Sequence, residues 1–272
     1  MFYTVLLALL FGVLEGVTEW LPISSTGHII LLRHFLPVTY SDAFFELFEV
    51  VIQLGAILAV ALLFWRTLCP FGGKKDKHEQ KKAFLLWGKI LLASLPSATA
   101  GLLLDEWIDK HLFNPLTVAI SLIFYGVLFL VIEHRKRVPR ITHKDDLTAR
   151  DALKIGAFQV LALIPGTSRS GATILGGLLL GISRPVSALF SFFLGLPTMI
   201  GASALKIAKF WLSGGTLSTA EWATLAVGTL TAFLVSLTAL RFLMDFVRRH
   251  TFRAFGIYRI LLGAAVLLTL IF

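Results

Sequence analysis

The sequence predicts an all-α, polytopic membrane protein made of two inverted-topology repeats, each a re-entrant helical hairpin plus three transmembrane helices. Three observations lead there. Apolar residues make up 57% of the 272, charged residues only 15%, and mean hydropathy is +0.83. A soluble domain of this size cannot hide that much apolar surface. The apolar residues also fall in continuous runs of about 20, the length that crosses a bilayer core, rather than in the ten-residue alternations of an outer-membrane barrel. Finally, two apolar regions are broken in the middle by polar, Gly- and Pro-containing sequence, LPISSTGH and IPGTSRSGAT.

Spans are expected at 43–65, 84–104, 115–132, 186–206, 222–240 and 254–272. Regions 1–36 and 152–182 carry the breaks. Non-helical backbone at membrane depth survives only where protein or a water-filled cavity satisfies it, so both regions read as re-entrant hairpins. The N-terminal apolar stretch has no basic start and no small-residue cleavage site, so it is expected to be retained. Cys69 is the single cysteine, which excludes a disulfide scaffold and a thiolate metal cage.

The net charge of +9 is topological. Basic residues gather in three loops: Arg66 to Lys82, Arg135 to Lys154, and Arg241 to Arg253. They lie between apolar runs, so the positive-inside rule accounts for them and nucleic acid is not a partner. These loops and Arg184 are placed in the cytoplasm. The acidic-leaning loop with Asp105, Glu106, Asp109 and Lys110 is placed outside, as are SGGTLSTAE and both termini. Lys206 and Lys209 fall on the wrong side and read as snorkelling lysines. Asp145 and Asp146 read as solvated, and Arg259 and the tryptophans as structural.

A weak internal repeat recurs at a spacing of roughly 140 to 145 residues. Gly12, Glu15, Pro22, Ser25 and Gly27 correspond to Gly156, Gln159, Pro165, Ser168 and Gly171. The chain therefore reads as one membrane domain over 1–272: a first repeat at 1–132, a cytoplasmic basic linker at 133–151, and a second repeat at 152–272. Three crossings per half is odd, so the halves are inverted. Such folds put their broken elements face to face, where substrate sites form.

Glu15 and Glu19, four apart, share one helix face. Paired carboxylates in an apolar setting repel unless a cation or proton lies between them, and hard oxygen donors select Mg²⁺ or Ca²⁺. Ser24, Ser25, Thr26, Gly27 and His28 follow in a turn. The hydroxyls suit phosphate oxygens and His28 suits acid–base work. Ser168, Arg169 and Ser170 stand between Pro165 and Gly171 at a helix start, a phosphate-binding arrangement of guanidinium fork, hydroxyls and free N–H groups. Glu46, Glu49, Gln53 and Gln159 are secondary candidates, with interhelical polar contacts as the alternative. The summed chemistry is phosphoryl transfer. No nucleotide-binding loop is present, so the phosphate is expected on a lipid.

EGVTEWLPISSTGH at Glu15–His28, FEVVIQLG at Phe48–Gly55 and PGTSRSGAT at Pro165–Thr173 together resemble the undecaprenyl-diphosphate phosphatases of the bacitracin-resistance type, over essentially the whole chain. The resemblance implies a multi-pass protein of the bacterial inner (cytoplasmic) membrane with its site opening to the periplasmic side. It implies removal of the terminal phosphate from undecaprenyl diphosphate, which regenerates the monophosphate carrier for peptidoglycan synthesis and confers bacitracin resistance. It carries the acidic motif to Glu15 and Glu19, the hydroxyl and histidine cluster to Ser25, Thr26 and His28, and the arginine motif to Ser168, Arg169 and Ser170. Arg169 is the expected diphosphate clamp. The nucleophile is Ser25 with His28 as base, the preferred reading, or His28 itself. A homodimer stays open.

A second lipid-phosphatase class, of the phosphatidic-acid-phosphatase type, is unsupported: Arg184-Pro185 has no lysine at the required upstream spacing. The rival of another class is a lipid-phosphate flippase or ion-coupled carrier on the same inverted repeat. The Ser25 and His28 pair discriminates, because transport needs charge but no nucleophile.

Overall fold

The computed structural model describes residues 2–36, 40–71, 75–135 and 138–271, and the described chain is helical throughout apart from a single isolated bridge between Ile141 and Ile182. In order the helices are α1 (Phe2–Thr18), α2 (Ser25–Phe35), α3 (Asp42–Leu63), α4 (Trp65–Leu68), α5 (Lys77–His111) and α6 (Pro115–His134). They continue as α7 (Ala149–Val160), α8 (Arg169–Leu179), α9 (Arg184–Leu212), α10 (Thr219–Arg249) and α11 (Arg253–Leu268). Lys74, Lys136 and Arg137 of the basic loops lie outside the described residues.

Several helix starts are written locally. Ser41, Asp76, Asn114, Thr148 and Ser218 each accept from a backbone N–H three residues on, and Thr148 with Asp151 and Ser218 with Glu221 complete reciprocal boxes. Five helices are long and apolar enough to cross a membrane: α3, α5 over Lys77–Leu104, α6, α9 and α10. The protein is a multi-pass membrane protein. Both broken regions form pairs of short helices, α1 with α2 and α7 with α8.

Element bounds differ from expectation in three places. The span expected at 254–272 is α11, 16 residues and about 24 Å long, capped at Thr269, whose N–H closes back on Ala265. The acidic loop after residue 104 is instead the end of α5. Trp107 and His111 stack on one face of that helix, and the Leu112 N–H reaches the Ile108 carbonyl, so the charged residues ride on a continuing helix. The basic linker is also shorter than 133–151, because α6 reaches His134 and α7 begins at Ala149.

In lipid, helices associate through close packing rather than hydrophobic transfer, so small residues mark the contacts. Along α6 and α11, Gly126 and Gly256 lie back to back: a Cβ on Gly256 would sit 2.9 Å from the Gly126 carbonyl oxygen. At one end of the bundle, buried Glu133 at the end of α6 accepts from Arg184 Nε (2.8 Å) and from the Phe252 N–H (3.0 Å), pinning α6 to the starts of α9 and α11. On the linker, Asp145 is not simply solvated. Its hydrogen bond from Lys144, helped by Lys82, draws its carboxyl down to about 2 against a smaller opposing effect of burial.

Candidate active site

The two breaks have matching backbones. α1 ends at Thr18, the chain turns through Trp20–Ile23, and Ser24 stands at φ 72° immediately before α2. α7 gives way to a short 3₁₀ turn at Leu161–Leu163, and Ser168 stands at φ 67° immediately before α8. Among the described residues these two serines are the only non-glycine residues with positive φ. Each costs on the order of 1–3 kcal/mol and persists because its surroundings impose it.

Arg169, the first residue of α8, joins the breaks. Its Nη2 donates to Glu19 Oε1 at 2.9 Å and its Nη1 to the Ser191 carbonyl at 2.6 Å. The Met199 sulfur lies 3.3 Å from Nη2, and the guanidinium sits 5.5 Å from the centre of the Trp20 ring. Ser191, Gly195 and Met199 form one stripe of α9. Gly195 leaves room for the guanidinium: a Cβ there would stand 2.8 Å from Cζ, Nη1 and Nη2 of Arg169, which would then have to shift. Ser170 adds a second tie, its hydroxyl reaching the carbonyls of Glu19 (3.2 Å) and Leu21 (3.3 Å). Ser168 caps α8 by accepting from the Gly171 N–H at 3.2 Å. Thr173 Oγ1 lies 2.7 Å from Ser191 Oγ, fixing α8 on α9.

Glu15 lies one turn before Glu19, is 4% exposed, and its Oε1 is buried with no hydrogen-bond partner among the described residues. A buried carboxylate oxygen left in that state calls for an explanation. Its hard oxygen, beside Glu19, fits Mg²⁺ or Ca²⁺. Among the described residues no group of three or more His, Cys, Asp or Glu side chains gathers for a metal, so two carboxylates are what the chain itself offers. Glu49 on α3 is close enough for its charge to act on Glu15. Lys206 and Arg33 are the cations acting on Glu49, so Lys206 has an electrostatic partner inside the protein. Gln53 is half-buried, with no hydrogen bond to a site residue among the described residues. Gln159 is buried against α5, donating to Ser97 Oγ at 2.5 Å rather than to any group at the Arg169 end.

Ser25 and Thr26 occupy the first turn of α2, half-buried, with no protein hydrogen bond on either hydroxyl among the described residues. His28, one turn on, is not hydrogen-bonded to Ser25. Its Nδ1 lies 2.7 Å from the Ser24 carbonyl and its Nε2 lies 2.7 Å from Tyr258 Oη on α11.

Several residues of this neighbourhood escape sequence reading. Trp20 is fully buried under Arg169, whereas Trp65, Trp107 and Trp222 are more than half exposed, as an interfacial belt requires. Arg259, also fully buried, donates to carbonyls of both breaks: Pro22 (3.1 Å), Gly166 (2.9 Å) and Thr167 (3.0 Å). An arginine inside an apolar segment is itself a signal; the small-residue stripe on α9 and the tyrosine on α11 give none.

Fold and site together define a multi-pass helical membrane protein in which two interrupted hairpins hold an arginine, carboxylates and hydroxyls against one another. The chain belongs to the bacitracin resistance protein BacA family, whose match spans residues 8–265 and so includes both breaks. It is 51% identical over 262 residues to the undecaprenyl-diphosphatase of Enterococcus faecalis, covering 96% of this chain and 95% of that one. Similar relatives are the undecaprenyl-diphosphatases of Lactiplantibacillus plantarum, 50% identical over 96% of this chain and 95% of the relative, and of Acetivibrio thermocellus, 51% identical over 96% of both.

Proposed function

We propose that this protein is an undecaprenyl-diphosphatase that hydrolyses the terminal phosphate of undecaprenyl diphosphate, releasing inorganic phosphate and returning the monophosphate carrier to peptidoglycan synthesis. The observation that carries the reading is the contact of Arg169 with Glu19 across the two breaks. Similarity to relatives bearing that name over almost their whole length supports it.

In this reading Arg169 clamps the diphosphate through its fork, with Ser168, Ser170 and Thr26 as hydroxyl partners. The α2 N-terminus, where Ser24 supplies no side-chain cap, leaves backbone N–H groups for a phosphoryl oxygen. Ser25 is the preferred nucleophile and His28 its base, once the imidazole exchanges its present partners. Glu15 and Glu19 are the residues to hold Mg²⁺ or Ca²⁺, which when bound would neutralise charge on the phosphoryl oxygens. The protein works in the cytoplasmic membrane, with the site opening outward and the basic loops inside.

We also read the chain as one domain of two inverted repeats, 1–132 and 152–272 joined by the basic linker. Helix pairing supports this: α1 packs on α10 as α7 packs on α5, while α3 meets α9 and α6 meets α11. The repeat-related Gly12 and Gly156 each lie against a backbone carbonyl of the partner helix, those of Gly228 and Ala93.

Protein purified in detergent should release phosphate from a polyprenyl diphosphate with Mg²⁺ or Ca²⁺ present and lose that activity with chelator. Absence of release by wild type, or full activity in Glu19→Ala, Ser25→Ala and Arg169→Ala, refutes the reading. For orientation, cysteines placed at Lys110 and His78 in a Cys69→Ser background should label from outside at Lys110 only; the reverse overturns the assignment.

A further inference from the structure

His28 is gripped at both ring nitrogens. The Ser24 carbonyl can only accept, so Nδ1 carries the proton; in the neutral ring Nε2 then holds the lone pair, and the hydroxyl facing it at 2.7 Å, that of Tyr258, donates. The two rings are nearly parallel, 14° apart with centroids at 5.5 Å. One bond comes from the break and the other from α11, 230 residues along the chain.

Packing fixes this meeting. Gly256, Arg259 and Gly263 form one stripe of α11, with Gly256 and Gly263 against α6 and Arg259 turned into the bundle across both breaks. Tyr258 stands beside that stripe, and Leu262, one turn further, lies over Gly27 of α2. A Cβ on Gly27 would come within 3.2 Å of Leu262 and 2.8 Å of Leu122, so α2 lies in close contact with the side chains of α11 and α6 here. The neighbour of Gly27 is His28. The sequence that brings the helices together therefore also delivers the imidazole to the phenol.

We propose that Tyr258 is the positioning residue for His28: with the Nδ1–H form set by the Ser24 carbonyl, the Tyr258 hydroxyl donates to Nε2 and holds the ring in one orientation until that lone pair exchanges this partner for a group of the reaction. Tyr258 does not itself touch the reacting phosphate. It acts through His28, and the proposal rests on the hydrolase reading above.

The test uses full-length protein in detergent, with Tyr258→Phe as the main variant because it removes only the hydroxyl and keeps the stacked ring. ¹⁵N-histidine NMR reads the tautomer, with the resonance of His28 among the seven histidines assigned by its loss in His28→Gln. Phosphate release from a polyprenyl diphosphate gives kcat and KM. In Tyr258→Phe the His28 Nε2 resonance should move toward that of a lone pair without a donor, while Nδ1, still held by the Ser24 carbonyl, stays protonated. Kcat should fall about five- to tenfold, roughly the worth of one hydrogen bond, with KM little changed. Tyr258→Leu, which also removes the stack, should show the same shift of Nε2. Unaltered His28 resonances in Tyr258→Phe overturn the proposal, as does wild-type kcat in a variant whose resonances have moved. A wild type that releases no phosphate refutes the hydrolase reading instead, while the NMR comparison still reports whether Tyr258 holds the ring.

Discussion

Gly195→Ala is the substitution that most directly tests whether the placement of Arg169 matters. The new methyl would lie 2.8 Å from Cζ, Nη1 and Nη2, whereas comfortable contact is about 3.5–4.0 Å, so the guanidinium must retreat by about 0.7–1.2 Å. Its bonds to Glu19 Oε1 and the Ser191 carbonyl, at 2.9 and 2.6 Å, cannot both survive such a move. A misplacement of about 1 Å at a reacting centre costs up to about 100-fold. Kcat/KM for polyprenyl diphosphate should therefore drop roughly 10- to 100-fold, equivalent to about 1.4–2.7 kcal/mol of transition-state stabilisation. Alanine suits a helix better than glycine, so the variant should fold and keep a cooperative thermal transition. In an Arg169→Ala background nothing remains to be displaced, and the same change should cost less than about twofold. Activity within twofold of wild type in folded Gly195→Ala would refute the argument that this stripe of α9 sets the clamp.

Glu133→Gln should lower stability by about 1–3 kcal/mol, less than for a wholly buried pair because Arg184 is 39% exposed; an unchanged unfolding midpoint would mean that the α6, α9 and α11 junction holds without it. Ser24→Gly should leave the midpoint within about 1 kcal/mol of wild type, whereas Ser24→Val, β-branched at φ 72°, should lower it sharply; equal effects would mean that Ser24 is unstrained. The tie from Asp145 to Lys144 and Lys82 depresses that carboxyl to about 2, so its contribution is fully present above the unfolded value near 4 and is lost as pH falls through about 2. The small destabilisation of Asp145→Asn should accordingly be constant from pH 7 to 5 and vanish between about 4 and 2; a difference undiminished at pH 2 contradicts it.

The crossings and both hairpins are legible in the sequence because a membrane allows few ways to bury backbone, so apolar runs and their interruptions speak plainly. Glu15, Glu19 and Arg169 are legible for the same reason: ionisable groups inside such runs need a cause. The end of α5 is not, because Glu106, Asp109 and Lys110 look the same on a projecting helix as in a loop. Lys206 looks misplaced until α9 is seen beside α3, where its charge acts on Glu49. Trp20 resembles the belt tryptophans in composition and differs only in what covers it. Gly195 and Tyr258 matter through partners on other helices, and no local pattern announces a contact spanning 230 residues.

The energetics of the breaks also say what they are for. A buried ion pair such as Arg169 with Glu19, 13% and 8% exposed, gains little net stability, because desolvation offsets attraction, yet removing one partner costs about 3–5 kcal/mol. Arg259 is a harder case: fully buried, it has backbone carbonyls for partners and no carboxylate. Two strained serines add to the cost. Hydrophobic replacements would make a more stable bundle, so stability does not account for these groups, and preorganisation for an anion is the use that the proposed hydrolase would have for them.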